Sequence, residues 1–411
     1  MGDPSGGQAR MISFEEAEER ILAYVVPVTG TEVVGLEQAP GRILAEAVVA
    51  RINVPNHANS AMDGYAVASA DLVGTGQVRL RVVFDLAAGG FYSSGPGRGE
   101  AVRIMTGAPI PPGADTVVIQ EVCRREGEWV EVPCGIPRGE HVRDAGEDMR
   151  VGMEVLDAGK RLRPGDIGVL AAQGIDQVTV FRRIRVGLFS TGNEVVEVAG
   201  TLRPGQVYDS NRAGLKAALG VMGCAVIDFG IVGDDLAAIE SVLQRAAHEV
   251  DVIISTGGVS VGDYDLVRTA LANKGEIGFW QVAMKPGKPQ AYGRLGGAVF
   301  FGLPGNPVSG LTVFHLLIRP ALFRLMGGRS GSRKRIWATF TGQWTKKHSR
   351  KEFLRAILDL TGEGPKVKLT GPQGSGLMTS LARANAFMVL PEGPVTVSSG
   401  DRVEVWMMDN E

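Results

Sequence analysis

Residues 251–265 read DVIISTGGVSVGDYD, and this stretch decides the fold. Asp251–Ser255 is expected to be a strand, because a short apolar, β-branched run stopped by glycine suits a strand covered on both faces. It opens into a loop holding Gly257, Gly258, Ser260 and Gly262, and a helix is expected from about Tyr264. Residues 298–310, AVFFGLPGNPVSG, repeat the plan. Here the strand is Ala298–Gly302, the turn Leu303–Asn306 and the helix Pro307–Met326. Between the two lies MKPGKP (284–289), with Lys285 and Lys288. Two strands that end in glycine turns and feed helices aim backbone N–H groups at one point. Parallel sheets bind anions in that way, at the carboxyl ends of their strands.

The pattern extends upstream to residue 184. IRVGLFS (184–190) and AVIDFGIV (225–232) read as strands, NRAGLKAALGVMG (211–223) and DLAAIESVLQRAAHE (235–249) as helices. Such alternation predicts an α/β unit with a parallel sheet covered by helices on both faces. Right-handed crossovers then place every strand's carboxyl end on one side. The loops STGNE (190–194), VGDD (232–235), STGGVSVGDYD (255–265) and GLPGNP (302–307) are therefore expected to share one rim.

On either side the period changes. Residues 13–26 form a helix with Ser13 and Glu16 as a capping box and Ala17, Ile21 and Val25 on one face. Short alternating segments separated by Gly/Pro turns over 65–144 predict a small β domain, with Pro55 ending regular structure before it and Asp63-Gly64 as a turn. DIGVLAAQGI (166–175) reads as a short helix and DQVTVF (176–181) as a strand. After Gly328 five alternating segments predict an all-β barrel. The domain expectation is a linking domain from 1–50 and 145–181, an inserted β domain over 51–144, the α/β domain over 182–328 and the barrel over 329–411.

Composition narrows the function. The net charge of −2 supplies no bulk attraction to nucleic acid or a membrane, so neither is an expected partner. With 57 glycines among 411 residues, turns and close backbone approaches are abundant. Three cysteines without a C-x-x-C pair argue against a disulfide framework or a structural zinc site. No 18-residue apolar run is expected, and the polar start predicts a cytoplasmic protein. Gly287-Lys288 is followed by Pro289, so no Walker loop forms there, and no G-x-G-x-x-G follows the first strand. A Walker-type NTPase, a dinucleotide oxidoreductase and a hydrolase nucleophile elbow are set aside.

The expected rim carries Glu194, Asp234, Asp235, Asp263 and Asp265 together with Lys285 and Lys288. Carboxylates gathered near phosphate oxygens suit Mg²⁺, a hard ion that takes oxygen ligands. Lysines on a Pro-Gly-Pro frame suit an oxyanion. As single residues, Asp234 and Asp263 serve equally well as helix N-caps.

These motifs, with NSAMDGYAV (59–67), RIMTGAPIPPGAD (103–115) and AGED (145–148), resemble the molybdopterin molybdenumtransferase family in the same order along almost the whole chain. The E domain of gephyrin is similar. The resemblance implies four domains and an elongated homodimer whose active site lies between the α/β domain of one subunit and the inserted domain of the other. Asp63, Thr106 and Asp148 would then act across the interface. The implied reaction inserts molybdate into adenylylated molybdopterin and releases AMP, with a substrate handover from a molybdopterin adenylyltransferase. Lys285, Lys288 and Ser260 would bind molybdate, as, on a looser match, would Arg355 and Ser375. Glu194, Asp234 and Asp265 would hold Mg²⁺ or position water. Thr191, Gly192, Asp209, Ser210, Gly257, Gly258, Gly302, Pro304 and Asn306 would grip the pterin phosphate and AMP. The chain departs from many relatives at Asn193, where they have Asp, and from some at Gln281, where they have Lys. A non-catalytic dimeric scaffold on the same fold is the alternative.

Overall fold

The computed structural model describes residues 11–258, 266–271, 276–329 and 333–408. The first helix, Phe14–Tyr24, begins where expected: Ser13 Oγ accepts from the Glu16 N–H at 3.0 Å. The Glu16 carboxylate turns outward to Arg20, 2.6 Å away. The helix buries Phe14, Ala17 and Ile21 in the largest apolar core, with Leu317, Leu325, Phe353 and Trp406. Its apolar face therefore packs on the α/β unit and the barrel. Thr31–Gly35 pairs antiparallel with Gln177–Phe181, so segments about 145 residues apart close one small core around Val34, Leu44, Leu170 and Val180.

Between those two strands lies a six-stranded sheet. Its order is Thr116–Ile119, Gly64–Val67, Glu100–Ile104, Gln77–Leu86, Trp129–Pro133, Arg124–Glu126. It is apolar on both faces, with Tyr65, Val67 and Leu80 in one cluster and Ala66, Val102 and Ile104 in another.

The central sheet contains β1 (Arg185–Thr191), β2 (Ala225–Val232), β3 (Val252–Thr256), β4 (Glu276–Gln281), β5 (Pro289–Leu295) and β6 (Ala298–Leu303). Spatial order is β2-β1-β3-β6-β5-β4. The first four are parallel, as the alternation predicts. The sheet as a whole is mixed, because β5 and β4 add antiparallel at the edge. MKPGKP, which turns the chain from β4 into β5, reverses its direction. Helices Ser210–Met222 and Leu236–Glu249 follow β1 and β2. After β3 the described helix is Leu266–Leu271, and the expected start at Tyr264 lies outside the described residues.

A long helix runs from Pro307 to Leu325, with a π-helical turn at Phe314–Ile318. Contrary to the expectation of no long apolar run, it is 19 residues long with mean hydropathy 1.3, but 72% of its apolar window is buried inside the protein. It is a core helix by packing. The π turn precedes Pro320, which has no N–H for the Leu316 carbonyl. Arg333 supplies the missing donor at 2.5 Å.

The C-terminal strands close a five-stranded barrel. Lys351–Asp359 pairs with Lys366–Leu369, then Arg335–Phe340, Arg402–Met407 and Ala386–Leu390 follow in order, and the last returns to Lys351–Asp359. Closure removes the exposed edges that an open sheet of this size would leave.

Candidate functional site

A cleft of about 870 Å³ opens at the carboxyl ends of the parallel strands, the rim deduced from strand order. Thr191, Gly192 and Glu194 come from the loop after β1, and Asp234 from the loop after β2. Gly257 and Gly258 follow β3, and Pro304, Asn306 and Pro307 follow β6. Asp209 and Ser210 line it at the start of a helix.

Backbone geometry explains the glycines. Gly258 has φ +64°, and a Cβ there would stand 2.4 Å from Val267 Cγ2. Only glycine lets this turn lie against its own helix while keeping the cleft wall flat. Gly192 leaves room for the Glu194 carboxylate, whose Oε2 lies 2.5 Å from where a Cβ would be.

Charge is organised by caps and ion pairs. Asp235, rather than Asp234, caps the helix after β2: its Oδ1 accepts from the Ala238 N–H at 2.8 Å. Asp234 is left at the cleft, its Oδ2 accepting from the Asn193 N–H. Asp209 caps the helix Ser210–Met222 and accepts from Arg212 Nε at 2.8 Å. Arg212 also pairs with Asp228 at 2.7 Å and Glu197 at 2.5 Å. Burial works against its charge, yet the three carboxylates push its pKa well above the ordinary value. The result is a rigid acidic floor whose Asp209 is already neutralised.

Glu194 and Asp234 are exposed to the cleft and carry hard oxygen donors, so they fit a cation such as Mg²⁺. No group of three or more His, Cys, Asp or Glu able to hold a metal occurs among the described residues, so substrate oxygens, water or Asp265 would complete such a site. Ser260, Asp263 and Asp265 lie outside the described residues.

Other expected residues stand apart from the cleft lining. Gly302 is inside β6, paired with Ser255 of β3. Lys288 is exposed, and Lys285 reaches the buried Glu352 of the barrel at 2.9 Å. Arg355 is 1% exposed, and burial pulls its guanidinium down to about 10 against the field of Glu352. It donates to Ser380 Oγ and the Gly374 carbonyl, both at 3.0 Å. Ser375 receives the Val308 N–H on its carbonyl, tying the barrel loop to the start of the long helix. Asp63 and Thr106 face each other in the turns next to strands Gly64–Val67 and Glu100–Ile104 of the inserted sheet, where Asp63 Oδ1 accepts from both the N–H and the hydroxyl of Thr106 at 2.7 Å. Asp148 is exposed, and its N–H donates to the Val54 carbonyl.

The structure adds lining residues that sequence reasoning missed. Asn211, in the first turn of the helix Ser210–Met222, donates to the Gly305 carbonyl at 2.7 Å and so ties that helix start to the loop after β6. Its signal was its place one residue after Asp209-Ser210. Gly376 and Met378 bring the barrel to the cleft edge. One exclusion also needs correcting: Gly258-Val259-Ser260-Val261-Gly262 has the G-x-S-x-G spacing of a nucleophile elbow. The described cleft lining contains no histidine to act as a base for that serine.

Comparison with known proteins gives three family-model matches. Residues 12–174 match the MoeA N-terminal region (domain I and II), 187–324 a probable molybdopterin binding domain, and 338–408 the MoeA C-terminal region (domain IV). A molybdopterin molybdenumtransferase from Haemophilus influenzae is 38% identical, over 96% of this chain and 98% of that protein. One from Nostoc is 38% identical, over 91% and 88%. A solved molybdopterin biosynthesis MoeA protein from Pyrococcus horikoshii superposes with TM-score 0.80 at 32% identity, covering 98% of this chain and all of that one.

Proposed function

Because the chain belongs to the molybdopterin molybdenumtransferase family, transferases of molybdenum cofactor biosynthesis, we propose that it inserts molybdate into adenylylated molybdopterin with Mg²⁺-dependent release of AMP. The observation that carries this reading is the cleft: four loops at the carboxyl ends of parallel strands bring two exposed carboxylates, glycine turns and a helix start to one cavity. A diphosphate with a pterin on one side and adenosine on the other needs those three elements. The Gly257 N–H is held by the Leu303 carbonyl and the Val308 N–H by the Ser375 carbonyl, so the Gly258 N–H and the positive dipole end of the helix that starts at Pro307 would face the phosphate oxygens. Glu194 and Asp234, with Asp265, would hold Mg²⁺, which when bound neutralises diphosphate charge. Asp209 stays paired with Arg212 and so orients rather than repels the substrate.

Molybdate is a doubly negative tetrahedral anion and needs fixed cations. Lys285 and Lys288 on the Pro-Gly-Pro turn, with Ser260, would supply them. Arg355 and Ser375 would act from the barrel side, through the loop that reaches the cleft at Gly376. Asp63, Thr106 and Asp148 would complete the site from the partner subunit of a homodimer. The enzyme would work in the cytoplasm and receive its substrate from a molybdopterin adenylyltransferase.

Incubation of the protein with adenylylated molybdopterin, molybdate and Mg²⁺ tests the proposal. AMP release that requires both molybdate and Mg²⁺, with appearance of the molybdenum cofactor, is the expected result. Tight pterin binding without AMP release would favour the scaffold reading instead.

A further inference from the structure

The Lys285–Glu352 pair joins the lysine turn to the barrel, and nothing in the proposed chemistry uses the carboxylate. Glu352 is 2% exposed. A buried carboxylate is retained only where partners surround it. Its Oε1 lies 2.9 Å from Lys285 Nζ and 3.2 Å from His348 Nε2, and its Oε2 accepts from Trp344 Nε1 at 3.1 Å. The remaining charged neighbours are Lys346, which donates to the Arg350 carbonyl at 2.8 Å and to the Pro391 carbonyl, and the buried Arg355. Although burial opposes ionisation, the bonds from Lys285 and Trp344, with His348 close by, hold the Glu352 carboxyl below its ordinary value.

The backbone adds a second tie at the same place. Met284-Lys285 pairs in parallel with Lys351-Glu352, and the Lys351 N–H donates to the Ala283 carbonyl at 2.9 Å. Arg350 Nη1 donates to the Met284 carbonyl at 3.2 Å. Lys285 reaches across this connection on a four-carbon stem, and its side chain is 41% exposed. An ammonium group has three donors. One is spent on Glu352, and two remain for an anion on the exposed side.

We propose that Glu352 is a positioning residue: from inside the barrel it holds the Lys285 ammonium at a fixed point of the anion pocket, so that barrel and α/β unit together set the affinity for the oxyanion. The inference rests on the reading of Lys285 as a molybdate ligand. It differs from a purely structural role in what it predicts: a carboxylate that only ties the two units together would not change the molybdate dependence selectively. It also predicts a cost. A carboxylate beside the lysine weakens the local positive potential, and this loss is outweighed by not having to order a long, mobile side chain on binding.

The test is the molybdate dependence of AMP release in the full-length protein, with saturation by adenylylated molybdopterin measured in parallel. Glu352→Gln keeps the shape and an acceptor for Trp344. It is expected to raise the molybdate concentration for half-maximal rate about tenfold and leave that for the pterin substrate within about twofold. Lys285→Met is expected to raise the molybdate value at least as much. The double variant is expected to match Lys285→Met alone, because a residue that acts through Lys285 has nothing left to act on. An unchanged or lowered molybdate value in Glu352→Gln, with Lys285→Met impaired, overturns the proposal and leaves the reading of the pocket standing. An unchanged value in Lys285→Met overturns both. If Glu352→Gln does not fold, Glu352→Asp serves: its shorter arm is expected to give the same selective rise in the molybdate value, and equal losses for both substrates would show a structural role only.

Discussion

Asn193 and Asp234 hold each other across the cleft rim by a reciprocal pair of hydrogen bonds. The Asn193 N–H donates to Asp234 Oδ2, and the Asp234 N–H donates to Asn193 Oδ1, each at 3.1 Å. The loops after β1 and β2 are thereby clasped, and Asp234 faces the cleft beside Glu194. The amide accepts the Asp234 N–H without adding a third negative charge. Asn193→Ala removes one arm of the clasp and lets the Asp234 loop drift. The pair is exposed, so the midpoint of thermal unfolding is expected to move by only about 2 °C. The Mg²⁺ concentration for half-maximal AMP release is expected to rise several-fold. A Mg²⁺ titration of the variant checks it, and an unchanged titration would show that the clasp does not hold the metal site.

Asp63 offers a test of where the active site is assembled. The backbone N–H of Thr106, then its hydroxyl, hold the Asp63 carboxyl below its ordinary value, so it is ionised throughout the neutral range. If each site combines the α/β domain of one subunit with the inserted domain of the other, Asp63→Asn and Glu194→Gln damage different halves. Mixing the two inactive proteins under conditions of subunit exchange is expected to restore about a quarter of wild-type activity, since half the dimers are mixed and one of their two sites is intact. No recovery, with exchange confirmed by mass after isotope-labelling one of the two variants, would place both residues in one subunit's site or remove Asp63 from the reaction.

At the opposite end of the sheet, Asp251 controls stability rather than chemistry. Its carboxylate accepts from both Arg182 Nη atoms, at 2.7 and 2.8 Å, and from the Arg185 N–H at 2.7 Å. Burial raises its pKa, but the Arg182 bonds and the Arg185 N–H outweigh that and leave it below the ordinary 3.8. A carboxyl depressed in the folded state binds protons more readily when unfolded. Its stabilisation is therefore present above about pH 4 and is lost as pH falls through the folded value. Asp251→Asn is expected to cost about 2 kcal/mol at pH 7. The gap between wild type and variant is expected to narrow in denaturant titrations taken from pH 7 to pH 3.5. A gap that stays constant with pH would assign the loss to packing.

The rim was legible because its cause is local and repeated. A β-branched run, a glycine turn and an amphipathic helix recur, and parallel crossovers leave one side for the loops, so Thr191, Asp234, Gly257 and Asn306 meet as read. What was not legible depends on contacts far apart in sequence or on a choice between neighbours. Asp234 and Asp235 are adjacent acids, and periodicity cannot tell which one caps the helix; the structure gives the cap to Asp235. The reversal that makes β5 antiparallel is set by the MKPGKP turn, while the strand pattern of 289–295 fits either direction. Gly376 and Met378 reach the cleft only because the barrel docks there, and no period in 371–380 carries that information. The same holds for Lys285 and Glu352, whose pairing spans two units.

The docking of the barrel has an identifiable fastener in Arg333. Pro320 has no N–H to give the Leu316 carbonyl its i+4 bond, and Arg333 Nη2 donates to that carbonyl at 2.5 Å. The same nitrogen pairs with Glu18 of the first helix at 2.8 Å, and the guanidinium carbon lies 4.3 Å from the centre of the Trp406 ring in the barrel. One side chain thus joins the first helix, the core helix and the barrel. Burial pulls its pKa below the ordinary value, against the attraction of Glu18. Arg333→Met keeps the apolar packing but strands both the Leu316 carbonyl and the Glu18 carboxylate. The expected cost is about 3 kcal/mol in denaturant unfolding, because breaking a largely buried pair leaves an uncompensated charge. Arg333→Lys keeps the charge without the planar fork, and it is expected to recover less than half of that loss. Full recovery by lysine would mean that charge alone fastens the barrel, and that the bond to the π turn and the ring contact contribute little.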